Sequence, residues 1–324
     1  MTETIPAVSI IVVSYNTREL TLACLRSVVA ETEIPYELIV VDNASPDGSA
    51  EAIAAEFPEI CFMAETENHG FAKANNIAAA RARGDYILLL NPDTVVLDSA
   101  IDKLVAFARD KPEAKIWGGR TLHGDRTLNN TCCRPRITLW RVFCWAAGLT
   151  ALSRNHRFFS EAYGGWDMND VRPVDIVTGC FLLIPRSLWD ALGGFDLTYF
   201  MYGEEADLCL RATKQFGAHP HFTPDAQIIH YGGASEPVKA DRYVRLLKAR
   251  VTLIRHHFRD WKRPLGLWLT RMVPLTRYLA LSLAAALTRH PGARESAGVW
   301  EEIWARRAEW QDGLPEPPVS RFLR

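Results

Sequence analysis

The sequence predicts an α/β fold in which a doubly wound, mostly parallel sheet is flanked by helices and followed by a C-terminal helical extension. Short apolar runs alternate with helical patterns over the first 120 residues, which is typical of parallel βαβ units. The runs lack polar alternation, as expected for strands covered on both faces. Each run also ends at a polar turn, which marks the carboxyl edge of the predicted sheet.

The N-terminal elements follow from these patterns in order. The first strand is predicted over residues 8–13, and Asn16 or Thr17 is a suitable N-cap for the helix that follows. Gly84 is a suitable C-cap for a later helix. The remaining elements predicted in this half are strands at 38–41, 60–63 and 85–90 and helices at 74–83 and 100–109.

The second part of the chain is less regular. Residues 120–172 are rich in Arg, Trp and Phe without a clear period, and we interpret them as an irregular insertion over one edge of the sheet. The sequence further predicts strands at 174–184 and near 228–229 and helices at 187–192, 204–216, 239–258 and 265–287. The predicted division is an α/β half at 1–120, a second half of the same domain at 121–238, and a basic helical region at 239–324.

Charge and cysteine content limit the function classes. The overall charge is close to zero, so no nucleic-acid partner is expected, but residues 1–100 carry a balance of −10 and the remainder +9. A basic second half favours an anionic surface or substrate. The seven cysteines include no C-x-x-C pair, which favours a reducing cytosol. The N-terminus has no signal-peptide pattern, and helix 265–287 is interpreted either as interfacial or as packed on the domain.

Four polar turns follow the predicted strands. They are Ser14-Tyr15-Asn16, Asp42-Asn43-Ala44-Ser45, residues 68–72 and Asn91-Pro92-Asp93. The ends of parallel strands point the same way, so the turns are expected to line one crevice, where open α/β sheets bind their ligands. Asn-Pro-Asp is also an ordinary turn sequence, so one turn alone indicates little, whereas four in order indicate a binding site.

With these turns the chain resembles family-two glycosyltransferases with the GT-A fold, and is most similar to their rhamnosyltransferase-like branch, over roughly residues 6–260. The resemblance implies that the first two turns hold the nucleoside and that Asp42 accepts a hydrogen bond from the imide N–H of uracil or thymine. The third turn would pack under the nucleotide. The residues so implied are Ser14, Tyr15, Asn16, Asp42, Asn43, Ser45, Asn68, Gly70, Phe71, Ala72 and Asn75.

The same resemblance implies a divalent cation, Mg²⁺ or Mn²⁺. The family's Asp-x-Asp motif reads Asn91-Pro92-Asp93 here, which leaves Asp93 as the carboxylate ligand. Magnesium is commonly held by one or two carboxylates together with substrate phosphates. His230, followed by Gly233 and Ser235, is similar to a late family histidine that approaches the diphosphate or the metal.

The family's catalytic carboxylate falls on Glu205, where Asp is usual, and Glu204 and Asp207 are alternatives. Thr178 and Gly179 resemble the acceptor-side strand. Aromatic rings that are candidates for stacking on the acceptor sugar are Trp166, Tyr199 and Tyr202.

The implied activity is inverting transfer of a sugar from a nucleoside-diphosphate sugar to a hydroxyl of a cell-surface polysaccharide or lipid-linked glycan. dTDP-rhamnose is the family-level donor, with UDP- and GDP-sugars open. A cytoplasmic enzyme is expected, with peripheral binding to an anionic inner membrane face as an open alternative. A nicotinamide dehydrogenase would need G-x-G-x-x-G after the first strand, and a nucleotidyltransferase a Gly-rich basic loop there; neither is present. A non-catalytic sugar-nucleotide-binding protein stays open.

Overall fold

The computed structural model describes residues 5–152, 156, 158–232, 239–288, 291–316 and 322. The chain forms two compact units. The first comprises Met1–Arg134, Asp167–Ser235 and Pro317–Arg324, and the second comprises Pro135–Trp166 and Glu236–Glu316. Residues 135–166, which the sequence was expected to place over the sheet, therefore cluster with the C-terminal helices.

The strands all belong to the first unit. They are β1 (Val8–Ser14), β2 (Tyr36–Asp42), β3 (Cys61–Ala64), β4 (Tyr86–Leu90), β5 (Thr94–Leu97), β6 (Trp117–Leu122), β7 (Leu128–Asn129), β8 (Cys133–Arg134), β9 (Arg172–Pro173), β10 (Ile176–Val177), β11 (Phe181–Pro185) and β12 (His221–His230).

Helices occur in both units, and a short 3-10 helix at Pro112–Ala114 lies in the first. Those of the first unit include α1 to α4, α7 and α8, and those of the second include α5, α6 and α9 to α12. Their bounds are α1 (Arg18–Glu31), α2 (Ser49–Glu56), α3 (Gly70–Ala79), α4 (Ala100–Asp110), α5 (Leu139–Ala146), α6 (Leu149–Leu152), α7 (Arg186–Leu192), α8 (Glu204–Phe216), α9 (Lys239–His257), α10 (Arg263–Thr288), α11 (Pro291–Ala305) and α12 (Arg307–Trp310).

The main sheet has the strand order β3-β2-β1-β4-β11-β6-β12-β5, with β7 beside β6 and β9 beside β12. The first four strands run parallel. β11 lies antiparallel to β4 and β6, and β12 runs parallel to β6 and antiparallel to β5. Ser14 and Asp42 face each other in register at the carboxyl edge. The predicted α/β sheet is confirmed, and its first four strands carry all four polar turns.

Five strands, β5 to β9, were absent from the sequence prediction, and one predicted strand is broken. β6 contains Gly118 and Gly119, which are required by packing. A Cβ on Gly118 would lie 2.4 Å from Val177 Cγ1, and one on Gly119 would lie 2.3 Å from the Ala226 carbonyl oxygen. β5 was also missed, and the strand predicted at 174–184 is divided into β10 and β11 around residues 178–180.

The second unit is built around α10. Val142 and Ala146 of α5 pack with Ile254, Leu269 and Val273 in a buried cluster. The helical part of the aromatic-rich segment, α5 and α6, therefore belongs to the second unit. The apolar side chains that α5 buries in this cluster hold it there. Among the helices of the described ranges, none has the length and hydropathy that a membrane span requires.

Candidate active site

The turn after β1 is fastened to the turn after β2. The Asn16 backbone N–H donates to the Ser45 hydroxyl at 2.9 Å, and the Asn43 N–H donates to the Ser14 carbonyl at 2.8 Å. Asn16 has φ 54°, a left-handed conformation in which asparagine is enriched. Ser14 is fully buried, whereas Tyr15 is 38% exposed. Of these residues, Tyr15 is thus the side chain best able to meet a ligand.

Asp42 is buried at the end of β2 with one oxygen available. Its Oδ2 accepts the Ser45 backbone N–H at 3.0 Å. Its Oδ1 is buried and has no hydrogen-bond partner among the described residues. An unsatisfied buried carboxylate oxygen is costly, so this atom is suited to accept a single N–H donor from a ligand.

Asn43 and Asn68 join the second turn to the third. Asn43 Nδ2 donates to Asn68 Oδ1 at 2.9 Å, and Asn43 Oδ1 accepts the His69 N–H at 2.9 Å. Asn68 Oδ1 also accepts the Gly70 N–H at 2.9 Å. These amides are occupied by the protein itself, so both residues shape the crevice rather than offer free groups to a nucleotide.

The third turn packs tightly against the loop before α8. Gly70 has φ +75°, and a Cβ there would lie 2.5 Å from the Phe200 carbonyl oxygen. That carbonyl accepts the Phe71 N–H at 2.7 Å. Asn75 Nδ2 donates to the Phe71 carbonyl at 2.8 Å, and Ala72 is fully buried. Glycine is required here both by its conformation and by the close approach.

Asn91, Asp93 and His230 converge beside β4 and β12. His230 Nε2 lies 3.3 Å from Asp93 Oδ1 and 3.4 Å from Asn91 Nδ2. Asp93 Oδ2 accepts the Gly232 N–H at 3.0 Å. The sequence brought these residues together only through the family pattern, and the structure now places them in one cluster. The two later residues of the His230 motif lie outside the described residues: Gly233 and Ser235.

The electrostatics of this cluster favour a charged pair. Burial alone would raise the pKa of Asp93, but the hydrogen bond and charge of His230 hold it below its ordinary value. Burial alone would lower the pKa of His230, but the neighbouring Cys180 and Asp93 raise it to about 10. Asn91 Oδ1 and His230 Nδ1 are buried without hydrogen-bond partners in the described part of the chain. The Asn91 oxygen is therefore a further acceptor in this cluster, whereas Nδ1 of the charged His230 carries a proton and can only donate.

Asp207 is occupied by a structural ion pair. Its Oδ2 accepts the Arg211 Nε–H at 2.6 Å, and both side chains are largely buried. Arg211 also donates to the carbonyl oxygens of Leu192 and Gly194 at 3.0 and 2.8 Å. The pair therefore joins α8 to the end of α7, which makes Asp207 a poor proton acceptor for a substrate.

Glu204 and Glu205 differ sharply in environment. Glu204 is buried, and its Oε2 has no partner among the described residues. Burial, together with the charge of Glu205, raises the pKa of Glu204 well above its ordinary value, so its neutral form is favoured. Glu205 is only half-buried, so it is the more accessible of the two acids.

The segment Thr178–Cys180, between β10 and β11, lies between the Asp93 cluster and Glu205. The Cys180 thiol lies beside His230, and the Cys180 carbonyl accepts the Asn91 N–H at 3.2 Å. A Cβ on Gly179 would lie 3.4 Å from the Phe71 ring and 3.8 Å from Glu205 Cβ. The Asp93 cluster and Glu205 thus flank the same three residues, next to the third turn.

The aromatic residues expected to meet the acceptor are mostly enclosed. Trp166 is buried and belongs to the second unit, and Tyr199 is also buried. Tyr202 is half-buried with φ 72°. Phe200 and Tyr231 are exposed rings next to site residues, because Phe200 contacts Gly70 and Tyr231 follows His230. Neither ring was identified as a candidate from the sequence.

Thr178 has a structural contact that the sequence did not suggest. Its hydroxyl donates to the Cys132 carbonyl at 2.9 Å and lies 3.2 Å from Cys180 Sγ. Its side chain thereby anchors the segment between Glu205 and Asp93 to the β8 end of the first unit. Thr178 is accordingly a positioning residue in this structure.

Asp207→Ala is expected to lower the free energy of unfolding by about 3–5 kcal/mol, because Arg211 would remain buried without its carboxylate. Urea denaturation measures this change. Asp190→Ala is the matched control: Asp190 pairs with Arg186 at 3.8 Å on the surface, and exposed pairs contribute about 0–1 kcal/mol. An Asp207→Ala protein of unchanged stability that has lost transfer activity would contradict the structural role.

This chain is similar in sequence to known glycosyltransferases. The sequence profile described as glycosyl transferase family 2 matches residues 9–161. The N-acetylglucosaminyl-diphospho-decaprenol L-rhamnosyltransferase of Mycobacterium tuberculosis is 28% identical over 71% of this chain and 77% of its own length. The rhamnosyltransferase WbbL of Escherichia coli is 27% identical over 69% of this chain and 83% of its own.

The fold has a solved counterpart in the mannosyltransferase PcManGT from Pyrobaculum calidifontis, determined in complex with GDP-Man and Mn²⁺. It superposes with a TM-score of 0.59 at 20% identity, covering 94% of this chain and 87% of that one. The profile match and the two relatives make this chain similar in sequence to family-2 glycosyltransferases, and among them to rhamnosyltransferases, and the likeness to the mannosyltransferase shows the GT-A fold.

Proposed function

We propose that this glycosyltransferase moves a sugar, with inversion and with the help of a divalent cation, from a nucleoside-diphosphate sugar to a hydroxyl of a glycan acceptor. The observation that carries the proposal is the position of the Asp93 cluster and Glu205 on either side of Thr178–Cys180. Sugar transfer needs one group that holds the diphosphate and, close to it, another group that takes the proton of the acceptor hydroxyl. The Asp93 cluster and Glu205 are candidates for these two roles, and the segment Thr178–Cys180 lies between them.

The free oxygen of Asp42 supports a uracil or thymine nucleotide. Asp42 Oδ1 is unsatisfied, whereas Oδ2 is already bonded to the Ser45 N–H. The imide of uracil or thymine presents one N–H, which matches one free acceptor. Guanine presents two neighbouring donors and would use both carboxylate oxygens. Because two similar proteins are named rhamnosyltransferases, dTDP-rhamnose is the first donor to test, followed by UDP- and GDP-sugars.

The residues beside β4 fit a hard cation. Asp93 provides a carboxylate, and Asn91 Oδ1 is an unsatisfied oxygen in the same turn; His230 would join as a ligand only after losing the proton that its pairing with Asp93 favours. Mg²⁺ is commonly bound by so few protein ligands because phosphate oxygens and waters complete its shell; the similar mannosyltransferase was solved with Mn²⁺. When bound, the cation would offset the charge of the departing diphosphate.

Glu205 is proposed as the general base. An alcohol is a weak nucleophile, so a carboxylate positioned to take its proton accelerates attack on the anomeric carbon. The acceptor then adds from the face opposite the departing diphosphate, which inverts the anomeric centre. Gly179 leaves space next to Glu205, and the half-buried Tyr202 precedes it by three residues, so both support an acceptor position there.

The acceptor is proposed to be a lipid-linked glycan or a cell-surface polysaccharide precursor. The name of the mycobacterial relative specifies a decaprenol-linked sugar diphosphate. Residues 239–263 of this chain hold nine Lys and Arg against two Asp, and polybasic segments are attracted to anionic membrane surfaces. We therefore propose a cytoplasmic enzyme that works at the inner face of the membrane.

A thermal-shift panel tests the donor and the cation. With dTDP- and UDP-sugars plus Mg²⁺ or Mn²⁺, we expect melting-temperature increases larger than those with GDP-sugars, because a ligand at 100 times its Kd stabilises the native state by about 2.7 kcal/mol. Asp42→Asn should weaken binding of the preferred donor roughly tenfold or more, since asparagine is uncharged and has a single acceptor oxygen for the two N–H donors, those of Ser45 and of the base. A shift with GDP-sugars that exceeds the others, unchanged by Asp42→Asn, would refute the nucleoside assignment.

A further inference from the structure

The exposed side of α10 forms a continuous apolar face. At 3.6 residues per turn, the exposed large apolar residues of α10 between Leu265 and Leu287 fall within one sector of roughly 120°. Met272 and Leu275 are half-buried within this sector, and the rest of its large side chains are exposed. Those exposed on this face are Leu265, Trp268, Leu279, Leu283 and Leu287, the last at 76%.

This face, which we call the α10 face, is distinct from the packing side of the helix. Gly266, Leu269, Thr270, Val273 and Pro274 are buried, and they lie on the other side of the same turns. Large apolar side chains scattered over a surface need no explanation, but a contiguous stripe of them marks an interaction site.

The charges along α10 are mostly basic. Between Trp261 and Thr288 the sequence has Lys262, Arg263 and two further arginines, Arg271 and Arg277, and no acidic residue, although Arg263 pairs with Asp260 and Arg271 with Asp312. By the same helical geometry the three arginines lie outside the apolar sector. Trp261, 70% exposed, stands at the start of the helix with Lys262 Nζ 4.8 Å from its ring centre. An amphipathic helix with basic flanks and tryptophan at its boundary is typical of membrane interfaces.

We propose that the α10 face binds the surface of an anionic membrane, with the helix lying in the plane of the interface. Acyl chains would cover the leucines, and the flanking Lys and Arg would meet anionic headgroups. A symmetric second copy fits less well, because isologous pairing along α10 would bring only positive charges together. This inference rests on the proposed function, because membrane binding would bring the enzyme to the lipid-linked acceptor that is proposed for it.

Vesicle flotation of the full chain tests the α10 face. We expect binding to vesicles of phosphatidylcholine mixed with phosphatidylglycerol, and weaker binding to phosphatidylcholine alone. The combined variant Leu279→Gln, Leu283→Gln, Leu287→Gln should reduce the partition coefficient at least about tenfold, because each leucine loses apolar burial. Glutamine and leucine have similar helix propensity, so the fold should persist. The matched control is Val29→Gln, an equally exposed apolar residue of α1, which should bind as the unmodified protein does.

Two results would overturn this proposal. Vesicle binding that the triple variant retains in full would exclude the α10 face as the contact. A chain that is dimeric by light scattering and becomes monomeric in the triple variant would assign the face to a second copy. The donor-induced thermal shift separates this inference from the proposed function: a protein that floats normally but does not respond to any nucleotide-sugar counts against the enzyme assignment alone.

Discussion

Glu205→Gln is expected to lower the rate of sugar transfer by about 10²–10⁴ while donor binding is kept, because the amide has the shape of the acid but cannot take a proton. Glu205 is half-buried next to Gly179, and it makes no contact there that would be needed for folding. Initial rates with saturating donor measure the loss, and the thermal shift with donor and cation verifies that the nucleotide site is intact.

Glu204→Gln is the matched control for this substitution. Because burial holds the pKa of Glu204 well above its ordinary value, glutamine resembles the neutral acid that is already present. Transfer should therefore fall far less than in Glu205→Gln. If the Glu204 variant loses transfer and the Glu205 variant keeps it, the base is the buried acid. A chain that binds donor but transfers nothing, even unmodified, would support the non-catalytic sugar-nucleotide-binding alternative.

The crevice could be predicted from sequence because its parts are local. Ser14, Asp42 and Asn91 each follow an apolar run, and the parallel order of β1, β2 and β4 brings strand ends to one edge without further information. The same reasoning did not distinguish side chains that would contact the nucleotide from side chains that hold the turns in place. Asn43 and Asn68 match the family pattern equally well, yet their amides bond to each other and to backbone groups.

The parts that sequence missed depend on long-range packing. β6 has a glycine pair that a local reading takes for a turn, although Gly119 is required by the Ala226 carbonyl more than 100 residues away. The segment Thr178–Cys180 falls inside the continuous strand predicted at 174–184, and its position between Asp93 and Glu205 follows only from contacts with the end of β4 and with α8.

Burial distinguishes among the three acids of α8 as candidates for the general base, whereas their spacing in the sequence does not. Glu204, Glu205 and Asp207 occupy one helical turn and are equivalent by composition. Asp207 is four residues before Arg211, a spacing that pairs charges on a helix, so its ion pair was recognisable in the sequence. The burial of Glu204 was not, because it depends on what packs over the first turn of α8.

Asp93→Asn is expected to abolish the part of the donor-induced thermal shift that depends on Mg²⁺ or Mn²⁺ and to lower transfer by at least about 10². A cation's contribution to transition-state charge is several kcal/mol, and each 1.36 kcal/mol corresponds to about tenfold in rate. Asparagine keeps an oxygen that can accept the Gly232 N–H, now bonded to Asp93 Oδ2. The loss should therefore follow from the missing charge rather than from a collapsed loop.

Comparing Asp93→Asn with Asn91→Asp tests more strictly whether the cation binds at the Asp93 cluster. Asn91 Oδ1 is unsatisfied beside His230, and an aspartate there would restore a second carboxylate to the cluster. If the cluster binds a cation, Asn91→Asp should keep or tighten the response to Mn²⁺, whereas Asp93→Asn removes it. Equal responses of both variants and of the unmodified chain, read by titrating the metal in the presence of donor, would mean that the cation binds elsewhere. Removing the single carboxylate and adding a second one thus change the same site in opposite directions, which a purely structural role for Asp93 would not produce.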